Sequence, residues 1–282
     1  MTGDSPARVS LLAASLAAVG CGMPGGRVDA PVDFALILEH ARRAAAAYES
    51  GDAIRARFGK EHRVSVSNIP HLDVRAFVEI DDQGRIQWIV VRGTANLANI
   101  DEDADYDKRF AAPLGASVHH GFVRDARAVW TFARPLLVDG YETRVTGHSL
   151  GGAVAAVLAM RLQAEGVRLG RCVTFGQPKV TNEKGVERYR DLPLLRVVNH
   201  DDPVPLLPWE TLGSLEGGLY RHFGHELWLT DKGTWELFDE HQAERYRITS
   251  FLERLGHDNP EEHRMERYLT RLEKLAGVAS DR

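Results

Sequence analysis

The sequence predicts a single α/β domain with a mostly parallel central sheet flanked by helices. Three observations carry this. Apolar, β-rich runs alternate with stretches of helical apolar spacing from residue 32 to residue 275. A Gly-x-Ser-x-Gly segment, Gly147-His148-Ser149-Leu150-Gly151, stands between one such run and an Ala/Leu/Val-rich helical stretch. The length, 282 residues, suits one large α/β unit with a sizeable core.

The elements are read in order. Residues 32–49 carry helical spacing (Phe34, Ile37, Leu38, Ala41, Ala45). Residues 74–80 and 86–91 are β-rich and flank Asp81-Asp82-Gln83-Gly84, a hairpin signal. Residues 123–138 read as a helix, 143–146 as a short strand and 151–165 as a helix. Buried strands are expected at 172–175 and 194–198. Residues 220–225 and 226–230 look like β-structure, and 234–238 can pair with them across Asp231-Lys232-Gly233. Amphipathic helices are expected near 241–255 and 260–275.

Composition excludes several classes. Hydrophobic residues make up 44% and charged residues 27%, which rules out a disordered chain, a collagen-like fibre and a multi-span membrane protein. The formal charge of −5 argues against a nucleic-acid partner, which needs a basic stripe. Two distant cysteines, Cys21 and Cys172, make no disulfide framework, and Cys172 reads as an inert, buried apolar residue. No Cys-x-x-Cys or His-Glu-x-x-His pattern is present, so no structural zinc site is expected, and the serine chemistry read below calls for no cofactor or metal.

The N-terminus differs from the rest. Residues 9–20 form an apolar Ala/Leu-rich run behind Arg8, the length of a signal-peptide core. Small residues ending in Gly20-Cys21 resemble a bacterial lipoprotein cleavage site, in which the cysteine is diacylated. Ala18 departs from the usual leucine, and Asp4 dilutes the positive start. The expected organisation is a signal at 1–20, a tether at 21–31 (Gly22, Pro24, Gly25, Gly26) and a globular domain at 32–282. This places the chain in a bacterial envelope through Cys21. A plain secretory signal, or a cytoplasmic chain with no working signal, stays open.

Ser149 is the candidate nucleophile. A serine on a sharp strand-to-helix turn exposes its hydroxyl, and glycines two residues either side remove Cβ atoms that would collide there. The hydroxyl needs a base, and the base needs a carboxylate to orient it. In chain order the acid follows the serine and the histidine comes last. Asp201 and Asp202 are the candidate acids, at the end of a predicted strand.

Five segments in order resemble the class 3 lipases, the group of the fungal triacylglycerol lipases and their bacterial relatives. They are Val91-Arg92-Gly93-Thr94, Val118-His119-His120-Gly121-Phe122, Val145 to Ala153, Thr174-Phe175-Gly176-Gln177-Pro178, and Val197-Val198-Asn199 through Asp202-Pro203-Val204-Pro205. The resemblance implies the α/β-hydrolase fold, and its register selects Asp202. His263-Arg264-Met265-Glu266-Arg267-Tyr268 resembles the family's C-terminal histidine signature, which makes His263 the base. His241 is the rival, with the same downstream tyrosine but no methionine, and His257 is a further alternative. His222 and His225 read as structural, and Arg92 and His119 as scaffold.

The backbone N–H of Leu150, the residue after the nucleophile, is one expected oxyanion donor. The resemblance carries the other over to Thr94. It also implies a serine ester hydrolase acting on acylglycerols or related lipid esters. Phospholipase, feruloyl or short-chain esterase and thioesterase activities share the same triad, and a non-catalytic envelope lipoprotein of hydrolase-like fold is the alternative of another class. The family's lid corresponds to residues 95–105, where Leu97 and Ile100 are the large apolar residues beside four carboxylates. Weak interfacial activation is therefore expected, because interfacial binding scales with buried apolar area and is opposed by like charge.

Overall fold

The computed structural model describes residues 31–69, 72–93, 108–208, 218–239, 243 and 259–278. The expected signal at 1–20, the tether except Pro31, Cys21, Thr94, the lid segment at 95–105, His241, His257 and the expected helix at 241–255, apart from Ala243, lie outside these residues.

Helix α1 (Phe34–Ala46) starts on Asp33, whose side chain accepts from the Leu36 N–H. Helix α2 (Gly51–Phe58) starts on Ser50 in the same way, with Ala53 as the donor. Strands β1 (Arg63–Ile69), β2 (Val74–Asp81) and β3 (Ile86–Val91) follow. Asp81 closes the expected hairpin by accepting from the Gln83 and Gly84 N–H groups. Next come β4 (Lys108–Ala111), β5 (Ala116–His119), α3 (His120–Ala133) and β6 (Glu142–His148). The chain continues through α4 (Leu150–Ala164), β7 (Leu169–Phe175), β8 (Thr181–Asn182), α5 (Glu183–Arg188) and β9 (Leu194–Asn199). It ends with β10 (Tyr220–Arg221), β11 (His225–Leu229), β12 (Trp235–Phe238) and α6 (Met265–Leu275).

The main sheet runs β1-β2-β3-β6-β7-β9-β11-β12. From β3 to β11 every neighbouring pair is parallel, and the outer pairings are antiparallel. Both faces are covered, as parallel sheets require. Val145 and Cys172 point to the face under α3 and α4, whereas Val173, Phe175 and Val197 point to the face under α1 and α6. Helix α4 is buried nearly all round, which explains its Ala/Val/Leu run without a polar stripe. Burial pushes the Cys172 thiol pKa up, so it is an unreactive apolar filler.

The two expected β-segments at 220–230 lie in different sheets: β10 pairs with β8 in a second, four-stranded sheet of order β10-β8-β5-β4, while β11 joins the main sheet and pairs with β12. The strands of that second sheet have two to four residues each, too few to show a period. One expectation is corrected. The helix at 260–275 is broken: a 3₁₀ turn (Pro260–His263) precedes an extended Arg264 (φ −65°, ψ 133°), and α6 begins only at Met265.

Two buried ion clusters tie these layers. Glu79, fully enclosed on β2, takes both Arg43 Nε (2.8 Å) and Nη2 (2.7 Å) and His62 Nδ1 (2.7 Å). Arg196 on β9 stands in register with Glu226 on β11; their side chains are each 1% exposed, with Nη1 and Oε2 2.7 Å apart. Arg196→Met should therefore lower stability by about 3–5 kcal/mol, because it leaves Glu226 buried without its arginine. Urea unfolding checks this; a loss below about 1 kcal/mol, the value of a surface pair, would contradict it.

Candidate active site

Ser149 caps α4 at the end of β6 with φ 59° and ψ −132°, a strained backbone for a residue with a side chain. The neighbours that hold it there are visible. Its N–H donates to Phe175 O of β7 at 2.9 Å, and its carbonyl accepts from Gly152 at 2.9 Å. A Cβ on Gly147 would lie 2.3 Å from Gly151 O, and one on Gly151 would lie 2.5 Å from Val91 O. The two flanking glycines are thus a steric requirement of the turn. Leu150 opens α4, so its N–H belongs to the first helical turn, which has no intrahelical acceptor and carries positive dipole character. Thr94 lies outside the described residues; Gly93 before it packs against the elbow, since a Cβ there would meet His148 O at 2.5 Å.

Asp202 follows β9 in a turn in which its N–H donates to Asn199 O at 2.9 Å. Its side chain is fully buried. Oδ1 accepts from the Val204 N–H at 2.9 Å, His263 Nδ1 lies 2.9 and 2.8 Å from Oδ1 and Oδ2, and the Tyr268 hydroxyl donates to Oδ2 at 2.5 Å. Burial raises the Asp202 pKa, but the charge and hydrogen bond of His263, then Tyr268 and Val204, outweigh it and hold the carboxyl below its ordinary range. Asp201 pairs instead with the neighbouring His200 ring at 2.8 Å.

His263 ends the 3₁₀ turn, which starts on Asn259 with its side chain capping Glu261. A second web holds this turn to β9: Asn199 Nδ2 donates to Glu262 O and Oε2, both at 2.9 Å, and Arg271 reaches Glu262 Oε2 at 2.5 Å. An ionised Asp202 only accepts, so His263 Nδ1 carries the proton and Nε2 presents a lone pair. Among the described residues, His263 Nε2 and Ser149 Oγ are both buried without a hydrogen-bond partner. One is a base without a proton donor, the other a hydroxyl without an acceptor. Gly176 connects their surroundings. It follows Phe175, the acceptor of the Ser149 N–H, and a Cβ on it would lie 2.8 Å from His263 Nδ1 and 2.7 Å from Asp202 Oδ2.

The remaining expected residues have structural places. His119 caps α3 and stacks on Phe122 with ring centroids 4.0 Å apart; Arg92 reaches Asp73 at 2.6 Å; His222 Nε2 meets Pro205 O at 2.7 Å; His225 is exposed. Sequence reasoning overlooked His148 and Tyr48. The Tyr48 hydroxyl lies 2.7 Å from His148 Nδ1, and His148 Nε2 lies 2.6 Å from the His263 carbonyl oxygen. His148 occupies the variable place of the elbow, the one available signal; Tyr48 carries none. Among the described residues no group of three or more His, Cys, Asp or Glu is placed to hold a metal.

A strained serine at a strand-to-helix turn, beside a carboxylate-bound histidine at the C-terminal ends of parallel strands, defines the α/β-hydrolase class of serine hydrolase architecture. Residues 88–212 match the family described as lipase (class 3). It is 32% identical over 173 residues to a lipase of Rhizomucor miehei, a match covering 56% of this chain and 46% of that one. It is 31% identical over 176 residues to the secreted mono- and diacylglycerol lipase 1 of Fusarium solani, covering 55% and 47%. The chain spans about half the length of these relatives. The structure of lipase II from Rhizopus niveus superposes with a TM-score of 0.63 at 22% identity, covering 82% of this chain and 94% of that one, which shows the shared fold.

Two outcomes follow from this geometry. Gly176→Ala at φ +56° would drive a methyl group into the Asp202–His263 pair. Labelling of Ser149 by a fluorophosphonate should slow by about 100-fold, as displacements near 1 Å do; labelling at the wild-type rate would contradict this placement of the pair. Burial drives both His148 and His40 to pKa values of about 3, against an ordinary 6.5. Both are neutral when folded and take up a proton only on unfolding. Stability should thus be intact above pH 6.5 and fall as pH drops from 6.5 toward 3, by about 1.4 kcal/mol per pH unit for each histidine. Guanidinium unfolding between pH 7 and 4.5 should show His40→Leu losing one histidine's share of that slope; an unchanged slope would refute it.

Proposed function

We propose that this chain is a serine carboxylic-ester hydrolase acting on acylglycerols or related lipid esters. The observation that carries the reading is a strained Ser149 at the strand-to-helix turn together with a buried His263 whose Nδ1 is committed to Asp202. The names of the relatives, among them a mono- and diacylglycerol lipase, support the substrate class.

In this reading Ser149 Oγ attacks the acyl carbonyl while His263 Nε2 takes its proton. Asp202 keeps the imidazole in the required tautomer and offsets the charge the ring then acquires. The tetrahedral oxyanion meets the Leu150 N–H at the α4 terminus, and the resemblance implies Thr94 as the second donor. His263 then protonates the departing alcohol. Water, activated by the same ring, attacks the acyl-enzyme and releases the acid. No metal or cofactor enters these steps. Secretion is supported by the name of the Fusarium solani relative. The finer proposal, attachment to a bacterial envelope through diacylated Cys21, is supported by the apolar run at 9–20 and the Gly20-Cys21 pair. Two acyl chains give stable anchoring where one is marginal.

Ser149→Ala and His263→Ala should each lower kcat by about 10⁴-fold or more with the fold retained. A panel of p-nitrophenyl esters from short to long acyl chains, tributyrin, triolein and phosphatidylcholine measures this. Retained turnover in Ser149→Ala, or no turnover of any ester by the wild type, would overturn the reading. Preference within the panel separates acylglycerol, phospholipid and short-chain ester substrates.

A further inference from the structure

Tyr48 stands between α1 and α2, about a hundred residues before the elbow, and belongs to no motif. Its hydroxyl nevertheless reaches the centre of the site, at His148 Nδ1. The other nitrogen of His148 lies against the carbonyl oxygen of His263. A carbonyl oxygen can only accept, so His148 carries its proton on Nε2 and donates it there. Nδ1 is then an acceptor, and the Tyr48 hydroxyl is its donor. The Tyr48 oxygen in turn packs against the Gly93 backbone, where a Cβ on Gly93 would lie 2.5 Å from it.

The break in the C-terminal helix explains how the His263 carbonyl becomes available. In an uninterrupted helix this oxygen would accept the Arg267 N–H. Here the Arg267 N–H goes to Arg264 O, because Arg264 is extended. The His263 carbonyl turns inward and meets His148. An apolar residue at 148 would fill the same space; only a side chain with a donor at one end and an acceptor at the other links both neighbours.

We infer that Tyr48 and His148 are positioning residues for the catalytic base, a relay from Tyr48 through His148 that holds the His263 main chain in register with the nucleophile. Asp202 orients the His263 ring, and the relay locates the backbone from which that ring projects. The inference rests on the triad reading of the site.

The test compares wild type with Tyr48→Phe, His148→Phe, His148→Gln and the Tyr48→Phe/His148→Phe double variant, using p-nitrophenyl butyrate turnover and thermal melting. His148→Phe should lower kcat by about 100-fold with KM changed by no more than about twofold, the pattern of a displaced base rather than a lost binding contact. Tyr48→Phe should lower kcat by about 10-fold, the lower range for groups that orient a reacting residue. His148→Gln keeps an N–H near the Nε2 position and should recover about 10-fold of the loss. The double variant should match His148→Phe alone, because Tyr48 acts through His148. Single variants within about twofold of wild type, or losses that multiply in the double variant, would overturn the relay. The ¹⁵N shifts of wild-type His148 test it without substitution: an Nε2–H tautomer is expected, and an Nδ1–H tautomer would overturn it. A wild type that hydrolyses no ester would sink the hydrolase reading itself, whereas the tautomer decides the relay separately.

Discussion

Asp202 is a carboxylate removed from water, and much of the site is arranged around the need to compensate it. Enclosing an ion costs several kcal/mol unless charge and hydrogen bonds replace the lost hydration. The compensating groups come from separate parts of the chain: His263 from the 3₁₀ turn, Tyr268 from α6 and the Val204 N–H from the turn after β9. Tyr268 also accepts the Asn199 N–H at 3.1 Å, so the hydroxyl that serves Asp202 is itself fixed by the end of β9, just before Asp202. Removing α6 from the sheet would strand the carboxylate. The C-terminal helix is held both by this polar anchor and by Met265 and Leu272 in the core.

The nucleophile depends on the opposite kind of constraint. Ser149 holds a positive φ that an isolated chain would relax within a residue or two. Four neighbours keep it: β7 through Phe175 O, the α4 turn through Gly152, and the close approaches at Gly147 and Gly151. Strain at the serine is therefore sustained by pairing in the middle of the sheet, where β6 has parallel neighbours on both sides. The same ordering brings the ends of β3, β6, β7 and β9 together, and with them Gly93, Ser149, Gly176 and Asp202.

These two constraints meet at His148 and Gly176. His148 is the last residue of β6, adjacent to the strained serine, and it touches the backbone of the base. Gly176 leaves the space that the base and acid occupy. Neither residue reacts in the proposed cycle, yet each couples the rigid sheet to the separate C-terminal segment.

What the sequence determined by itself was local or strongly periodic. Alternating apolar runs made β2, β3, β6, β7 and β9 legible, and the Gly147–Gly151 spacing marked the strand–serine–helix turn, because both depend on neighbours within a few residues. The Asp202 and His263 candidates needed the resemblance to a family, since nothing local separates Asp202 from Asp201 or His263 from His241. The tertiary structure decided what depends on distant partners. Residues 260–275 read as one amphipathic helix because Met265, Tyr268 and Leu272 repeat at helical spacing; the break at Arg264 is set by where the His263 carbonyl and ring must point. The second sheet is built of strands two to four residues long, too short for any period to register. Tyr48 has no sequence signal, because its role consists of a hydrogen bond across 100 residues of chain, which only folding brings within 2.7 Å.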